Sequence, residues 1–463
     1  MGTTNALSSL SGAVGGTTTS GGLGAGINVS QFVQFAVANQ TASITALQTQ
    51  QTTLGSQSGE IATITSQLAA LNNAAVALND PLGALNSEVA TSSNSSVLSA
   101  NAAGTAVAGA HTIAIANLAT TSSYYTDAVT SSSTALATGD TFSISVGGKS
   151  VSSITVDSTN NTLDQIAAAI NQSTTAVQAS VINDANGARL AIVSATSGVP
   201  GNISVTGGLH LAASPNTAIN FNQASAGLNA SLTVDGVPIS STGNTVTGVI
   251  NGVTLNLAAP TGNTPVTLTV APDSTQATAA INTFVAAYNT VVNEISGQFK
   301  VNPDGSGGGV LESDNTLREA QNSLLSAASF SISGNNGVVN LASIGVNLQD
   351  DGTLSVATST LATALSTNYT AVQNLFQNST ASFTQNLTSV VNNLTSPSSG
   401  VLTLDAQSIK NTTTGLTQQI SDLQAALSAQ ELSLTSVYAK VNATLQELPL
   451  LENQMTQQLA GIA

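Results

Sequence analysis

Residues 416–448 read LTQQISDLQAALSAQELSLTSVYAKVNATLQEL. Leu416, Ile420, Leu423, Leu427, Leu434, Val437, Val441, Leu445 and Leu448 recur in steps of three, four or seven. That spacing lines apolar side chains along one face of a helix. Gln430 is a polar break in the stripe. Nearer the N-terminus, Ile44, Leu47, Leu54, Ile61, Leu68 and Leu71 keep the same seven-residue drift, with gaps at Gln51 and Ser58. Neither stripe is wide enough to hold a helix in water alone. Each needs a partner helix, from this chain or from another copy. Gln430 either pins the register of the pair or points past the seam edge into water. Pro449 is expected to interrupt the last helix.

Between the two stripes the period changes from helical to two. Val107, His111, Ile113 and Ile115 alternate along one stretch, and Phe142, Ile144 and Val146 along another before Gly147-Gly148. Thr162 to Asn171 predicts a short helix with a Thr162/Gln165 capping box. Val177–Ile182, Asn186-Gly187 and Leu190–Val193 predict a hairpin. Further strands end at the turn signals Asp235-Gly236 and Asn251-Gly252, and Val266 to Val270 closes the β region. Helix returns after Asp273, where Ile281, Phe284, Val285, Tyr288, Val291, Val292 and Ile295 form an apolar face. At the N-terminal end, Asn28 with Gln31 makes another capping box. A helical pattern over residues 41–79 stops at Asp80-Pro81.

Composition narrows the function classes. Of 463 residues only 6% are charged and 3% aromatic, against about 25% charged in an ordinary soluble protein. The surface must be built from Ser, Thr, Asn and Gln, which hydrogen-bond well and repel weakly. The net charge of −16, with six scattered Lys and Arg, supplies no cationic stripe for phosphate and none for an anionic bilayer. No nucleic-acid partner and no membrane insertion are expected. Cysteine is absent, which excludes disulfides and thiolate metal sites. No basic and apolar leader is visible in residues 1–20.

No catalytic constellation stands out. Gly22-x-Gly24-x-Gly26 follows a Gly/Thr/Ser stretch rather than a strand, so it reads as a joint before a helix. Asn347, Gln349, Asp351 and Gly352 imitate a calcium loop, but Thr358 stands where the bidentate Glu should be. His111 and His210 are far apart and lack metal-spaced partners. No enzyme activity, cofactor or metal is expected. Tyr124, Tyr125 and Phe221 are rare aromatics of the middle region. They are either anchors of a contact surface or fillers of a core or loop.

Several segments together resemble a known family. GLGAGINV at Gly22–Val29 is similar to the N-terminal signature of the flagellar filament cap family, hook-associated protein 2. Residues 161–198 resemble the flagellin/hook IN motif. LTVDGVPISSTGNTVTGVINGVTLNL at Leu232–Leu257, FVAAYNTVVNEI at Phe284–Ile295, LESDNTLREAQNSL at Leu311–Leu324 and LASIGVNLQDDGTLSV at Leu341–Val356 resemble the cap family's C-terminal region. So does the final MTQQLAGIA. The resemblance implies export through the flagellar type III channel without a cleaved signal. It also implies an extracellular place at the filament tip and an oligomeric plate under which exported flagellin folds and inserts. The implied partners are further copies of the chain, flagellin, hook–filament junction proteins and an export chaperone. Alternatives are a junction protein or flagellin-like subunit, and a tip adhesin binding surface glycans.

The expected fold is multi-domain α+β: long coiled-coil-like terminal helices forming a leg, with a β-rich head inserted between them. The expected divisions are a flexible N-terminal segment with helix at 1–43, a leg from 44–95 and 275–410, a head at 96–274 with an inserted lobe at 121–225, and a coiled-coil helix at 411–463. The candidate self-assembly and flagellin-contact residues are Leu23, Ile27, Phe32, Ile44, Leu47, Leu54, Ile61, Leu423, Leu427, Leu434, Val437, Val441 and Leu445. Tyr124, Tyr125 and Phe221 are the candidate head contacts.

Overall fold

The computed structural model describes residues 29–300, 308–378 and 381–460, without the side chains of Gln31 and Phe32. Leu23, Ile27 and the Asn28/Gln31 cap therefore lie outside the described residues. In chain order the helices are α1 (Val29–Leu78), α2 (Leu163–Ser173), α3 (Ser274–Gln298), α4 (Asn315–Ala328), α5 (Thr358–Thr367), α6 (Tyr369–Gln377), α7 (Phe383–Thr395) and α8 (Val401–Ala460). The chain divides into two compact units. A helical unit takes the chain up to Val76, Ile281–Leu361 and everything from Asn374; a β unit takes Ala77–Ala280 and Ala362–Gln373. The fold is mixed α+β with antiparallel sheets, as the change of period predicts.

In the helical unit, α1 and α8 run for 50 and 60 residues. Both are rich in Thr, a poor helix former because of its β-branch. Here the hydroxyls fold back onto the carbonyl one turn earlier, as in Thr45 to Thr41, Thr52 to Gln48, Thr413 to Ile409 and Thr417 to Thr413. The polar group is thereby satisfied without a partner element. Helix α8 continues through Pro449. The expected interruption does not occur: the ring costs one backbone bond to the preceding turn, and the helix carries on. The core is formed by Ile61, Ile64, Leu68 and Leu71 of α1, with Phe284, Val291 and Ile295 of α3 and Leu317 and Leu324 of α4. Phe383 meets Phe284 and Phe376 edge-on, with ring centres 5.4 and 5.9 Å apart. Asp314 caps α4 by accepting from Leu317 N at 3.0 Å, and Ser382 caps α7 through Gln385 N at 3.1 Å.

Within α1, Val33–Leu78 is long and apolar enough to cross a membrane by length and composition alone. The cause is the scarcity of charge, since Gln, Ser and Thr recur in nearly every turn. The apolar positions form one stripe, buried from Val33 through Ile44 and Ile61 to Leu71 against the rest of this unit.

The β unit holds two cores. One lies in a sandwich. Its five-stranded sheet runs, edge to edge, through Glu88–Ser92, Val266–Pro272, Gly109–Asn117, Ala230–Val234 and Val237–Ser241. Its three-stranded sheet runs through Thr245–Ile250, Val253–Leu257 and Leu98–Ala102. Ile113, Ile115, Leu232 and Leu268 from the first sheet share a core with Leu98, Val246 and Leu255 from the second. The predicted turn at Asp235-Gly236 has φ of 52° and 82° at its two residues, the mirror-image turn that matches strand twist. The second core lies in the lobe between Thr121 and Ser225 and gathers Phe142, Ile144, Leu163, Ile166, Ile170, Leu190 and Ile192. Helix α2 starts at the predicted cap, where Thr162 Oγ1 accepts from Gln165 N. Asn171 at its far end donates to Ala179 O and accepts from Ala179 N, both at 2.8 Å. The amide thus stands in for a strand neighbour and ties the helix to the strand Val177–Asp184. That strand pairs with Gly187–Ser197 as a hairpin. Gly187, at φ 125°, has no room for a Cβ, which would fall 2.1 Å from Val129 O.

Candidate self-assembly surface

Helices α1 and α8 lie antiparallel. Gln40 Nε2 donates to Gln430 Oε1 at 2.8 Å, and Gln51 Nε2 donates to Thr417 Oγ1 at 2.7 Å. Between these two bonds α1 advances 11 residues while α8 steps back 13. At about 1.5 Å per residue the two paths agree to within about 3 Å. The polar breaks in the stripes therefore have a use. Gln51 and Gln430 sit at the seam edge and make the cross-helix bonds that set its register. Gln430 is exposed, yet it is paired.

The candidate residues fall into three groups. Ile44 and Ile61 are buried. Leu47, Leu54, Leu423, Leu427, Leu434 and Leu445 are half-buried along the seam. Val437 and Val441 stay exposed, at 52% and 42%. Toward the end of α8, burial follows Leu434, Tyr438 and Leu445 instead, one helical step round from the two valines. Past them, Leu448, Leu451, Met455 and Leu459 continue the exposed apolar line. Leu451, Met455 and Leu459 were not singled out from the sequence, although their spacing of three and four from Leu448 is readable there. Leu23 and Ile27, and the side chain of Phe32, lie outside the described residues.

Nearer the bundle, the same two helices carry carboxyl pairs. Glu60 of α1 is hydrogen-bonded to Glu294 of α3. Burial, then this neighbour, pushes the Glu60 carboxyl above the usual range. Asp405 of α8 is hydrogen-bonded to Asp314, and burial first, then the Asp314 charge, pushes it up to about 6. Glu60 Oε1 and Asp405 Oδ2 are buried without a hydrogen-bond partner. Sequence reading missed both pairs because their members lie far apart in the chain with no motif between them.

In the β unit, Phe221 packs 5.0 Å from Phe142 and Tyr124 lies against the same core. Tyr125, on the opposite face of its strand, is the one of the three that turns its ring outward, with the Arg189 guanidinium 5.6 Å from its centre. His111 Nδ1 lies 2.7 Å from Asp235 Oδ2, and this bond holds the Asp235 carboxyl below its ordinary range. His210 Nδ1 lies 3.1 Å from Asp140. Each histidine links two strands or turns. Among the described residues no group of three or more His, Cys, Asp or Glu could hold a metal ion. Asp351 Oδ1 accepts from both Thr353 N and Thr353 Oγ1, at 2.9 and 2.6 Å, so the calcium-like segment is a closed turn.

Comparison with known proteins gives a consistent answer. The model of the flagellar hook-associated protein 2 N-terminus matches residues 25–122, and that of the C-terminus matches residues 227–449. Together they cover more than half of the chain, and they stop on either side of the lobe. The B-type flagellar hook-associated protein 2 of Pseudomonas aeruginosa is 34% identical over 265 residues, covering 52% of this chain and 56% of that protein. Flagellar hook-associated protein 2 of Escherichia coli K12 is 30% identical over 265 residues, covering 53% and 56%. The matches thus span about half the length of these curated relatives. The crystal structure of the flagellar cap protein FliD D1-D2-D3 domains from Escherichia coli is similar at a TM-score of 0.56 and 29% identity, covering 76% of this chain and 99% of that one. On these matches, which run through both the helical and the β unit, the chain belongs to the flagellar hook-associated protein 2 family.

Proposed function

We propose that this chain caps the distal tip of a bacterial flagellar filament as a homo-oligomeric plate, beneath which exported flagellin folds and inserts. The observation that carries this reading is the likeness to a flagellar cap structure across three-quarters of the chain, 76%. The action is one of contact and enclosure, without covalent chemistry. In this reading α1 and α8 form the leg, and the exposed line through Val437, Val441 and Leu448 meets flagellin or a neighbouring copy. The seam of Ile44, Leu47, Leu54 and Ile61 with Leu423, Leu427, Leu434 and Leu445 stiffens the leg. Leu23, Ile27 and Phe32 extend the same contact. The leg spans residues 44–95, less the strand Glu88–Ser92 that belongs to the β unit, and 275–410, and it continues into the coiled-coil helix at 411–463. The head spans 96–274, with residues 121–225 as its inserted lobe. The chain works outside the cell, reached without a cleaved signal. An export chaperone and hook–filament junction proteins are its partners on the way. No observation favours the junction-protein, flagellin or adhesin alternatives.

The test is direct imaging. Labelled chain is added to filaments elongating from seeds in purified flagellin. Label confined to one end, with elongation there altered, supports the proposal; label spread along the filament overturns it.

A further inference from the structure

We propose that the helical unit carries a proton-operated clamp. One proton shared between Glu60 and Glu294, and another between Asp314 and Asp405, fasten α1 and α8 to the shorter helices in acid and release them as the medium approaches neutrality. This inference stands independently of the capping function.

The argument begins with scarcity. The chain has 22 acidic residues among 463, yet four of them meet as two carboxyl–carboxyl hydrogen bonds between separate elements of one unit. Two ionised carboxylates in contact repel, and a hydrogen bond between them requires one proton. Each pair has a built-in asymmetry. Glu294 Oε2 accepts from Gln67 Nε2 at 3.2 Å, and Asp314 Oδ1 accepts from Leu317 N at the start of α4. Glu294 and Asp314 thus already accept from a donor outside the pair, Asp314 as the cap of a helix N-terminus. Glu60 and Asp405 have the opposite setting, since each keeps one buried oxygen with no donor. They are the members that take the proton. Each bond then joins a long helix to the bundle: α1 to α3 through Glu60, and α8 to the α4 cap through Asp405.

Neighbouring charges do not relieve either pair. Arg318 lies over the Phe299 ring at 4.3 Å and donates to the Glu312 backbone oxygen. The Glu312 carboxylate accepts from Gly308 N. Glu319, Lys300 and Lys410 are exposed, and α7, packed against α4 and α8, has no charged residue. Among the described residues the ion pairs, two of them His–Asp, all lie in the β unit.

The direction in pH follows. Glu60 and Asp405 both titrate above their unfolded values, Asp405 near 6 against an ordinary 3.8. A group raised in this way contributes stability that is complete below the unfolded value and lost as pH rises through the folded one. The Asp405 bond is closed near pH 4 and opens through about pH 6, and the Glu60 bond opens in the same direction.

The experiment is thermal unfolding of the full chain, followed by helical circular dichroism at about pH 5 and about pH 8, with carbon-13 titration of the Asp carboxyls in the wild type. The helical transition should rise by several degrees on going to the lower pH, with one Asp carboxyl titrating near 6. Glu60→Gln and Asp405→Asn supply a permanent donor to the partner's carboxyl oxygen. Each should raise the melting temperature at the higher pH, and the double variant should lose the pH dependence. A wild-type transition indifferent to pH over this range, a double variant that keeps the full shift, or Asp carboxyls that all titrate in the ordinary range would each overturn the clamp.

Discussion

The helical unit and the β unit draw on the same charge-poor, Ser/Thr/Asn/Gln-rich composition, yet treat buried polar atoms differently. In the helical unit, side-chain oxygens of Glu60, Gln67, Asn72, Tyr288, Thr384, Thr388 and Asp405 are buried without a partner; in the β unit those of Glu88 and Tyr369 are. Sheets end in turns, and turns offer free backbone N–H groups that a neighbouring Asn or Asp can accept from. Asp157 takes Thr159 N, Asp184 takes Asn186 N, and Asn244 takes Ala119 N. A helix interior has no spare backbone donor, so a polar side chain there must find another helix or go without. The β unit therefore satisfies most of its buried polar side chains locally, Glu88 and Tyr369 excepted. The helical unit keeps polar groups whose bonding can change when the helices or their protonation change.

The most severe way to break the comparison is Phe383→Ala. Phe383 is fully buried between Phe284 and Phe376, and its loss should cost about 3–5 kcal/mol. The helical transition in a thermal melt should fall while the strand signal persists to its former temperature. Next comes Asn171→Ala in the lobe. Both backbone groups of Ala179 lose their partner, at about 1–3 kcal/mol for each group left unsatisfied. Amide exchange should quicken across Val177–Ser197 and leave the sandwich strands unchanged.

Acidification sharpens the contrast through its sign. Asp127, Asp157, Asp184 and Asp235 of the β unit are all held below the ordinary value of 3.8, chiefly by hydrogen bonds from Asn220, Thr159, Arg189 and His111 respectively. Their contribution is present above the unfolded value and is lost as pH falls through the lowered folded values. Melts taken between about pH 6 and about pH 3 should show the β transition weakening only at the acid end, where the helical unit keeps what it gained. The smallest effect is Tyr288→Phe. The Tyr288 hydroxyl is buried with no partner, and burial drives its pKa upward. Removing it should be neutral or stabilise the helical transition by up to about 1 kcal/mol.

The mixed fold class was legible because the two periods are clean. Leu416 and Ile420 keep helical steps and are buried where the stripe predicts, and Asp235-Gly236 marks a hairpin by turn chemistry alone. The strand Thr121–Thr126 was not legible. Its inward residues include Ser122 and Thr126, both fully buried, so no apolar alternation marks it. Ser122 Oγ reaches Ser225 O, and Thr126 Oγ1 accepts from Leu190 N at 2.9 Å. Hydrogen bonds set by distant strands replace hydrophobic pattern there. The exposed turn of α8 around Val437 and Val441 has a related cause. The seam period places them beside Leu434, but the antiparallel register takes the buried face through Tyr438 instead. That register depends on Gln40 and Gln51 finding partners almost 400 residues away or nearly so, 390 and 366 positions along the chain.

The central claim is capping, and the distribution of flagellin tests it most directly. In a strain lacking this gene, flagellin is quantified in the culture medium and in attached filaments, with and without the gene restored. The account predicts monomer in the medium with few or no filaments, reversed by the wild-type gene and not by a Leu423→Asp/Leu427→Asp variant that breaks the leg seam. Normal filaments and a clear medium in the deletion strain would contradict it.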